Sequence, residues 1–176
     1  MKRITIPMED ETIKSLNCGD MISLSGVIYT ARDAAHQRLI NCINEEKKLP
    51  FDLRGQAIYY VGPTPNKEGQ VIGSAGPTTS YRMDDLTNPL LDRGLKLMIG
   101  KGKRNQSVIE SMKKNKCVYL AAIGGAGAYI SNSIKKSEII AYEDLGAEAI
   151  RKLEVKDLLL IVAIDCNGNN IYELNK

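Results

Sequence analysis

The sequence of 176 residues predicts an α/β fold, a single domain with a mixed β-sheet that covers residues 1–176. Short segments rich in β-forming residues alternate with segments whose apolar residues recur every three or four positions. Other β-forming segments follow one another without a helix between them, which favours a mixed sheet over a purely parallel one. No linker divides the chain, and its length suits one well-buried domain.

Hydrophobic periodicity and turn residues locate the elements of the first half of the chain. Four apolar residues between positions 35 and 43 keep helical spacing, and Pro50 lies just beyond the predicted end of that helix. Gly26, inside a run of β-forming residues, indicates a bulge or bend. We predict a strand at 4–8, a short helix at 9–16, a strand at 21–30, a helix at 32–48, and strands at 56–61 and 70–72.

The same signals locate the elements of the second half. Thr78 or Thr79 is placed to cap a helix that follows the glycine- and proline-rich segment 73–77. The lysine-rich run 113–116 suits a helix C-terminus, where cations meet the negative end of the dipole. We predict a helix from 78 or 79 to 91, an apolar run at 95–99, a loop at 100–104, a helix at 105–114, strands at 118–123 and 139–142, a helix at 146–153, a strand at 157–165, and a last short strand after a turn at 167–170.

Composition and charge exclude several classes of function. The formal net charge is only +3, and basic residues do not interleave with aromatic ones, so nucleic acid is not the expected partner. No stretch approaches the roughly 20 apolar residues that span a bilayer, and residues 1–10 lack the apolar core of a secretion signal. We therefore expect a cytoplasmic protein that contacts neither nucleic acid nor membrane.

The cysteines do not have the spacing of a metal site. Cys18, Cys42, Cys117 and Cys166 are far apart, form no C-x-x-C pair, and are accompanied by a single histidine, His36. In a chain without a secretion signal they are best interpreted as reduced structural thiols. Any metal that the function requires is therefore expected from another chain.

Two glycine-containing segments are similar to nucleotide-binding motifs without matching them. Segment 94–102 contains a Gly-Lys pair, but neither the spacing of a P-loop nor the serine or threonine that follows its lysine. Segment 125–127 follows a strand as a dinucleotide loop does, but Ile130 stands at the third glycine position. We interpret both as tight turns of closely packed backbone.

Three cations lie at the borders of predicted elements. Arg32 follows the strand that ends at Thr30, Arg82 is in the first turn after Thr78, and Lys101 lies between two glycines after an apolar run. Strand ends and helix starts are common ligand sites in α/β proteins, and an arginine binds a carboxylate through two parallel hydrogen bonds. From spacing alone the alternative is that each is a solvated surface charge. The residues by themselves predict an α/β domain with a candidate anion site.

Four segments together resemble a known family. They are 30–36 (TARDAAH), 59–63 (YYVGP), 76–83 (GPTTSYRM) and 99–102 (IGKG), in that order along the chain. Over residues 4–172 the sequence resembles the C-terminal catalytic region of class I fumarases and L-tartrate dehydratases, in which G-P-T-T-x-x-R-M is a distinctive segment. Any one segment is weak evidence, whereas four in register are specific.

The resemblance implies a fold, an activity and a partner. The implied fold is a swivelling β/β/α domain, and the chain corresponds to the β subunit of the two-subunit enzymes in this family. The implied activity is that of a hydro-lyase that reversibly hydrates fumarate to (S)-malate. The partner α subunit would carry three cysteines that hold a [4Fe–4S] cluster, in an α2β2 assembly, and the iron would act as a Lewis acid on the departing hydroxide.

The resemblance also assigns roles to four residues. Arg32 and Arg82 match arginines that clamp the carboxylates of a small dicarboxylate substrate, and Lys101 matches a lysine that contacts the same anion. Thr78 matches the residue that abstracts the proton. A threonine hydroxyl is a weak base unless its alkoxide is stabilised, and Arg82 and the helix N-terminus are placed to stabilise it.

Several assignments remain open at this point. Thr79 is expected to cap the helix, and Asp33 and His36 to orient Arg32 or to pack at the interface. Tyr81 stands where many single-chain members have glycine, and it either faces the pocket and alters substrate choice or packs outward. L-tartrate dehydratase is the alternative activity. A non-catalytic anion-binding domain is the alternative of another class, although it would be free to lose any of the four residues.

Overall fold

The computed structural model describes residues 1–122 and 127–174. Three short 3₁₀ helices, Ser80–Met83, Glu143–Glu148 and Ile171–Glu173, accompany the main elements. The strands and α-helices are β1 (Lys2–Ile6), α1 (Asp10–Lys14), β2 (Met21–Thr30), α2 (Asp33–Asn44), β3 (Ala57–Tyr59), α3 (Asp84–Asp92), β4 (Leu97–Gly100), α4 (Gln106–Asn115), β5 (Val118–Ala121), α5 (Gly127–Asn132), β6 (Ile134–Ala141) and β7 (Ile150–Ile164). None of the helices in this part of the chain combines the length and apolarity needed to cross a bilayer.

The strands form a seven-stranded mixed sheet that closes on itself. Strands β2, β3, β4 and β5 are parallel neighbours in that order. Strand β7 runs antiparallel to both β5 and β2, so that these five strands form a closed barrel. Strand β1 pairs with β2, and β6 pairs with β7, outside the closed part. The predicted α/β class and mixed sheet are confirmed.

Alternation along the strands divides the buried residues between two cores. Ala57 and Tyr59 of β3 belong to a cluster formed mainly by strand residues, which fills the barrel. Ile58 and Tyr60, which point the opposite way, belong to a second cluster that contains Leu39 of α2 and apolar residues of α3 and α4. Successive side chains of a strand face opposite sides of the sheet, so one set of strands serves both cores. The barrel and its helical layer together give the implied β/β/α arrangement.

Several elements are found where the sequence predicts them. Strand β2 matches its predicted bounds, and its pairing with β7 shifts register between Leu24 and Gly26, which confirms the predicted irregularity. Glycine is required there because φ is +117° and a Cβ would lie 2.8 Å from the carbonyl oxygen of Ile6. Helix α4 is capped by Asn105, whose side chain accepts a hydrogen bond from the Val108 N–H at 2.9 Å.

Other predicted elements are wrong or shifted. Residues 70–72 form no strand, and the segment after the turn at 167–170 is a 3₁₀ helix with only an isolated bridge between Ile164 and Asn170. The predicted helix at 146–153 is also wrong, because Gly146 has a non-helical backbone (φ 61°, ψ −120°) and β7 begins at Ile150. The N-terminal half of β7 pairs with both β2 and β6, and these long-range ladders override local helical spacing.

Two further predictions concern the end of helix α2 and the glycine-rich segment 124–127. Helix α2 ends at Asn44, four residues before the predicted end, and the chain leaves it through Glu46 at a left-handed φ of 56°. The end of the predicted strand 118–123 and most of the glycine segment 124–127 fall on residues 123–126, outside the described residues.

Candidate anion-binding edge of the barrel

The carboxyl ends of three parallel strands bring the predicted residues to one edge of the barrel. Arg32 follows β2, residues 60–63 continue β3, and Lys101 follows β4. The segment that contains Thr78 returns to the same edge, because the Thr78 N–H donates to the Tyr60 carbonyl at 2.7 Å. Parallel neighbours end on the same side of a sheet, so Arg32, Thr78 and Lys101 share one edge.

Arg32 is held at the start of α2. It occupies the N-cap position in an extended conformation, and its side chain is one-quarter exposed. A Cβ on Gly62 would lie 3.0 Å from both Cδ and Nη1 of Arg32, so glycine at this position leaves room for the guanidinium. The Nε atom lies 3.9 Å from carboxylate oxygens of both Asp33 and Glu148. At 3.9 Å these contacts are too long for hydrogen bonds, so Asp33 and Glu148 orient this arginine through their charge.

Arg82 reaches the same place from the 3₁₀ helix Ser80–Met83, rather than from the first turn of an α-helix as predicted. Its side chain is 47% exposed, and its Nε lies 3.2 Å from Oδ2 of Asp33. The other oxygen of Asp33 faces Arg32, so one carboxylate joins the two arginines. The structure thus brings together residues that are 50 positions apart in the sequence.

Backbone pairing joins Lys101 to the segment that follows Thr78. Thr79 and Lys101 form a parallel bridge, and the Ser80 N–H donates to the Lys101 carbonyl at 2.9 Å. Thr79 occupies the N-cap position of the 3₁₀ helix, but its side chain makes no capping hydrogen bond, so the prediction that it caps the helix is wrong. Its backbone serves to align the Thr78 segment with Lys101. The Lys101 side chain is exposed.

A buried chain of hydroxyl groups fixes this pairing, and sequence reasoning missed it. The Lys101 N–H donates to Ser80 Oγ at 3.1 Å, and Ser80 Oγ lies 2.8 Å from the Tyr119 hydroxyl. Tyr119 donates to the Gly102 carbonyl at 2.8 Å, so Ser80 must donate to Tyr119. A Cβ on Gly100 would overlap Ser80 Oγ. The available sequence signal was the glycine before Lys101, which indicates a close approach of backbone.

The basic run 101–104 contains two kinds of cation. Lys101 and Lys103 are exposed, whereas the Arg104 side chain is fully buried. Arg104 Nε donates to Asp84 Oδ1 at 2.6 Å, and Nη2 donates to Thr87 Oγ1 at 3.0 Å. Its guanidinium carbon also lies about 5 Å from the ring centres of Tyr60 and Tyr119, a cation–π distance. Arg104 is therefore structural.

His36 lies beneath Arg32 and is completely buried. Its Nδ1 lies 2.8 Å from the Arg32 carbonyl, which can only accept, so the neutral ring carries its proton on Nδ1. Burial, together with the nearby Arg104 cation, lowers the pKa of His36 to about 4. His36 is neutral at physiological pH and supports the backbone of Arg32 rather than an anion.

Tyr81 points away from the buried core. Its side chain is 66% exposed, in the same 3₁₀ helix as Arg82. The sequence leaves open whether Tyr81 faces the pocket or packs outward, and in the structure it does not pack into the core of this chain. The side chain is instead part of the exposed surface that surrounds the candidate site.

The residues of this chain do not fit an iron–sulfur cluster. All four cysteines are described and are free thiols, and the Cys117 and Cys166 side chains are buried. Burial raises the pKa of Cys117 to about 12, although a cluster ligand must be a thiolate. Within residues 1–122 and 127–174, no group of three or more His, Cys, Asp or Glu is arranged to hold a metal ion.

Comparison with known proteins identifies the family. The model of the family described as Fumarase C-terminus matches residues 1–175. The chain is 40% identical over 167 residues to a protein assigned as L(+)-tartrate dehydratase subunit beta in Methanocaldococcus jannaschii, which covers 92% of this chain and 86% of that relative. It is 39% identical over 154 residues to the aerobic class I fumarate hydratase of Salmonella typhimurium, covering 86% of this chain and 27% of that enzyme.

The anaerobic class I fumarate hydratase of Escherichia coli gives a similar result, with 40% identity over 154 residues, 86% of this chain and 28% of the enzyme. The chain thus spans most of a relative named as a β subunit, and little more than a quarter of the fumarate hydratases. Both names describe hydro-lyases, which add or remove water. The chain belongs to the Fumarase C-terminus family.

Proposed function

We propose that this chain is the β subunit of a hydro-lyase that reversibly hydrates fumarate to (S)-malate. The observation that carries the proposal is that Arg32 and Arg82 approach the same carboxylate, that of Asp33. Thr78 and Lys101 lie at the same edge of the barrel. Three cations at one edge, two of them beside the carboxylates of Asp33 and Glu148, offer N–H donors to a doubly charged dicarboxylate. The membership of the chain in a family whose relatives are named as hydratases and dehydratases supports the same reaction.

In this proposal the cations bind substrate and stabilise the charge that develops during the reaction. Arg32 and Arg82 bind carboxylate groups through their planar forks, and Lys101 contacts the same dicarboxylate. When a C–H proton leaves the carbon beside a carboxylate, negative charge spreads onto that carboxylate, where fixed cations are most effective. Thr78 is the proposed base, and its alkoxide is stabilised by Arg82, four residues along the same segment.

The proposal requires a second chain. The relative from M. jannaschii is named as a subunit beta, and the fumarate hydratases are more than three times as long as the part that this chain covers. We therefore assign the remainder of the active site to an α subunit that assembles with this chain in the cytoplasm as α2β2. Because the cysteines described above do not fit a [4Fe–4S] cluster, we assign its ligands to that partner.

L-tartrate is the second candidate substrate, and a specific observation favours it. The relative assigned to tartrate dehydratase is matched over 86% of its length, so its chain organisation is the more similar one. Tartrate has one more hydroxyl group than malate and the same two carboxylates, so both fit the same cations. Tyr81, exposed beside Arg82, is the nearby side chain able to contact the additional hydroxyl.

The proposal is tested by producing this chain together with its α subunit, without oxygen, and assaying the complex with fumarate, malate and L-tartrate. We expect the isolated chain to be inactive and the complex to be brown, oxygen-sensitive and active. Activity of the isolated chain, or a complex without a cluster, would contradict the proposal. A folded, inactive complex that binds dicarboxylate would favour the non-catalytic alternative.

Variants of the complex separate the proposed roles. Arg82→Ala should abolish turnover without unfolding the chain. The control is Arg38, an exposed arginine elsewhere on α2 that pairs with Asp144, and Arg38→Ala should leave turnover unchanged. Thr78→Ser keeps a hydroxyl and should retain part of the activity, and Thr78→Ala should not. A fully active Arg82→Ala or Thr78→Ala complex would remove that residue from the site.

A further inference from the structure

Asp33 lies between the two arginines of the candidate site. It is the first residue of α2, directly after Arg32, so the backbone of the helix N-terminus fixes its position. Oδ2 lies 3.2 Å from Arg82 Nε and Oδ1 lies 3.9 Å from Arg32 Nε. Oδ1 is buried and has no hydrogen-bond partner within the described part of the chain, although the side chain as a whole is 37% exposed. Arg32 Nε is likewise buried without a hydrogen-bond partner in that part of the chain, so the 3.9 Å contact is an electrostatic attraction and not a hydrogen bond.

The contacts of Asp33 use one particular edge of each guanidinium. In both ion pairs the closest nitrogen is Nε, which lies at the side of the group and not at its end. Glu148 also approaches Arg32 at Nε, at 3.9 Å, and its carboxylate accepts a hydrogen bond from the Ala34 N–H at 3.4 Å. A carboxylate at Nε leaves Nη1 and Nη2 as a separate pair of donors for another carboxylate.

We propose that Asp33 is a positioning residue whose charge attracts the Nε side of Arg82, at 3.2 Å, and of Arg32, at 3.9 Å, and so directs their terminal nitrogens toward a substrate carboxylate. The proposal rests on the proposed function. Arginine side chains have many rotamers, and ordering two of them during binding would weaken affinity. Asp33 orders them in advance, and Gly62 leaves room for the Arg32 guanidinium.

An opposite role for the same contact predicts the opposite result. Asp33 could instead occupy the arginines as a substitute for the substrate carboxylate, in which case substrate would have to displace it. The charges near the arginines are balanced, with two guanidinium groups facing the carboxylates of Asp33 and Glu148. If Asp33 competes, its removal strengthens substrate binding; if it positions, its removal weakens binding.

The first experiment measures the arginines directly and does not depend on activity. In the isolated chain labelled with ¹⁵N-arginine, the Nε–Hε resonances of Arg32 and Arg82 are compared in wild type, Asp33→Asn and Asp144→Asn. Asp144 is the matched control because its partner, Arg38, is on the same helix as Asp33 but outside the site. We expect Asp33→Asn to move the Arg82 and Arg32 resonances and leave Arg38, and Asp144→Asn to do the reverse. Unmoved Arg82 and Arg32 resonances in folded Asp33→Asn would overturn the proposal.

The second experiment measures the consequence in the αβ complex. Asp33→Asn should raise KM for the dicarboxylate about tenfold with kcat within about threefold of wild type, because lost pre-ordering weakens ground state and transition state alike. Asp33→Glu keeps the negative charge and should show a smaller rise in KM than Asp33→Asn. Asp144→Asn should change neither KM nor kcat. A lower KM in Asp33→Asn, or a loss confined to kcat, would overturn positioning. A wild-type complex without hydro-lyase activity would refute the proposed function, and the resonances would still decide the role of Asp33.

Discussion

Two neighbouring regions of this protein use cations in opposite ways. At the edge of the barrel, Arg32 and Arg82 have side chains that are 25% and 47% exposed, with their nearest anions at Nε. Only three positions after Lys101, Arg104 is fully buried, and it donates to Asp84, Thr87 and Tyr60. One region leaves donor atoms facing outward, and the other uses its donors inside the protein.

The difference shows which property distinguishes a ligand-binding cation from a structural one. Moving a charge out of water costs several kcal/mol, so a buried guanidinium persists only when hydrogen bonds and an opposite charge compensate it. Because its N–H groups already donate to those partners, they are not free to bind a ligand. An exposed guanidinium with one edge held by Asp33 keeps its terminal nitrogens for an anion. Burial and pairing, and not residue type, separate the two regions.

The largest effect is expected from breaking the buried pair. Arg104→Met should lower the free energy of unfolding by about 3–5 kcal/mol, because it leaves the Asp84 carboxylate buried without its counter-charge. Chemical denaturation of the isolated chain measures the change. Lys101→Met is the matched control, and since Lys101 is exposed it should change stability by less than about 0.5 kcal/mol. Equal losses in the two variants would contradict the comparison.

An intermediate effect is expected at His36, which contacts both regions. Its Nδ1 donates to the Arg32 carbonyl, and its ring packs edge-on against Tyr60, 5.4 Å between centroids. Because the folded pKa is lowered to about 4 from an ordinary value of 6.5, the unfolded chain binds more protons between these values. Stability should therefore fall by about 3 kcal/mol as pH decreases from about 6.5 to about 4, and this loss should level off below pH 4.

The measurement is the pH dependence of the unfolding free energy in wild type and in His36→Phe, which retains a ring but cannot titrate. The difference between the two curves isolates His36 from exposed carboxyl groups such as Asp52, whose pKa is lowered to about 2 by Arg54. A difference that stays constant between pH 7 and pH 4 would show that His36 is not held neutral by burial.

The smallest of the three effects tests the connection between the regions. Gly100→Ala would place a Cβ against Ser80 Oγ and 2.8 Å from a ring carbon of Tyr60. Such crowding should cost about 1–3 kcal/mol of stability and displace Lys101 from Ser80. Gly76→Ala is the matched control, because among the described residues the nearest atom to its Cβ would be 3.8 Å away. Thermal unfolding compares them, and equal stability of the two variants would show that this packing is not tight.

The sequence predicted some parts of the fold well, for physical reasons that are local. Strand β2 and helix α4 carry strong periodicity and clear end signals, and both were located within a residue or two. The prediction for segment 146–153 failed because its apolar spacing suits a helix, whereas pairing with β2 and β6 makes its second half β-strand. Local preference is a weak guide wherever long-range ladders decide the backbone.

For the candidate site, sequence and structure contributed different things. Arg32, Thr78, Arg82 and Lys101 were singled out from the order of four segments and from their places at the ends of elements. The sequence also offered Asp33 and His36 as residues that orient Arg32 or pack at the interface, but it gave no sign of the support from Ser80 and Tyr119. Ser80 and Tyr119, 39 positions apart, form a hydroxyl chain only because β4 and β5 are adjacent in the barrel.

The sequence by itself determined the α/β class, the family-specific segments and the residue types available for binding an anion, because these depend on order and local pattern. Only the tertiary structure decided that the sheet closes into a barrel, that Arg104 is buried while Lys101 is exposed, and that Asp33 joins Arg32 to Arg82. Burial and ion pairing depend on distances between residues far apart in the chain, and no local pattern encodes those distances.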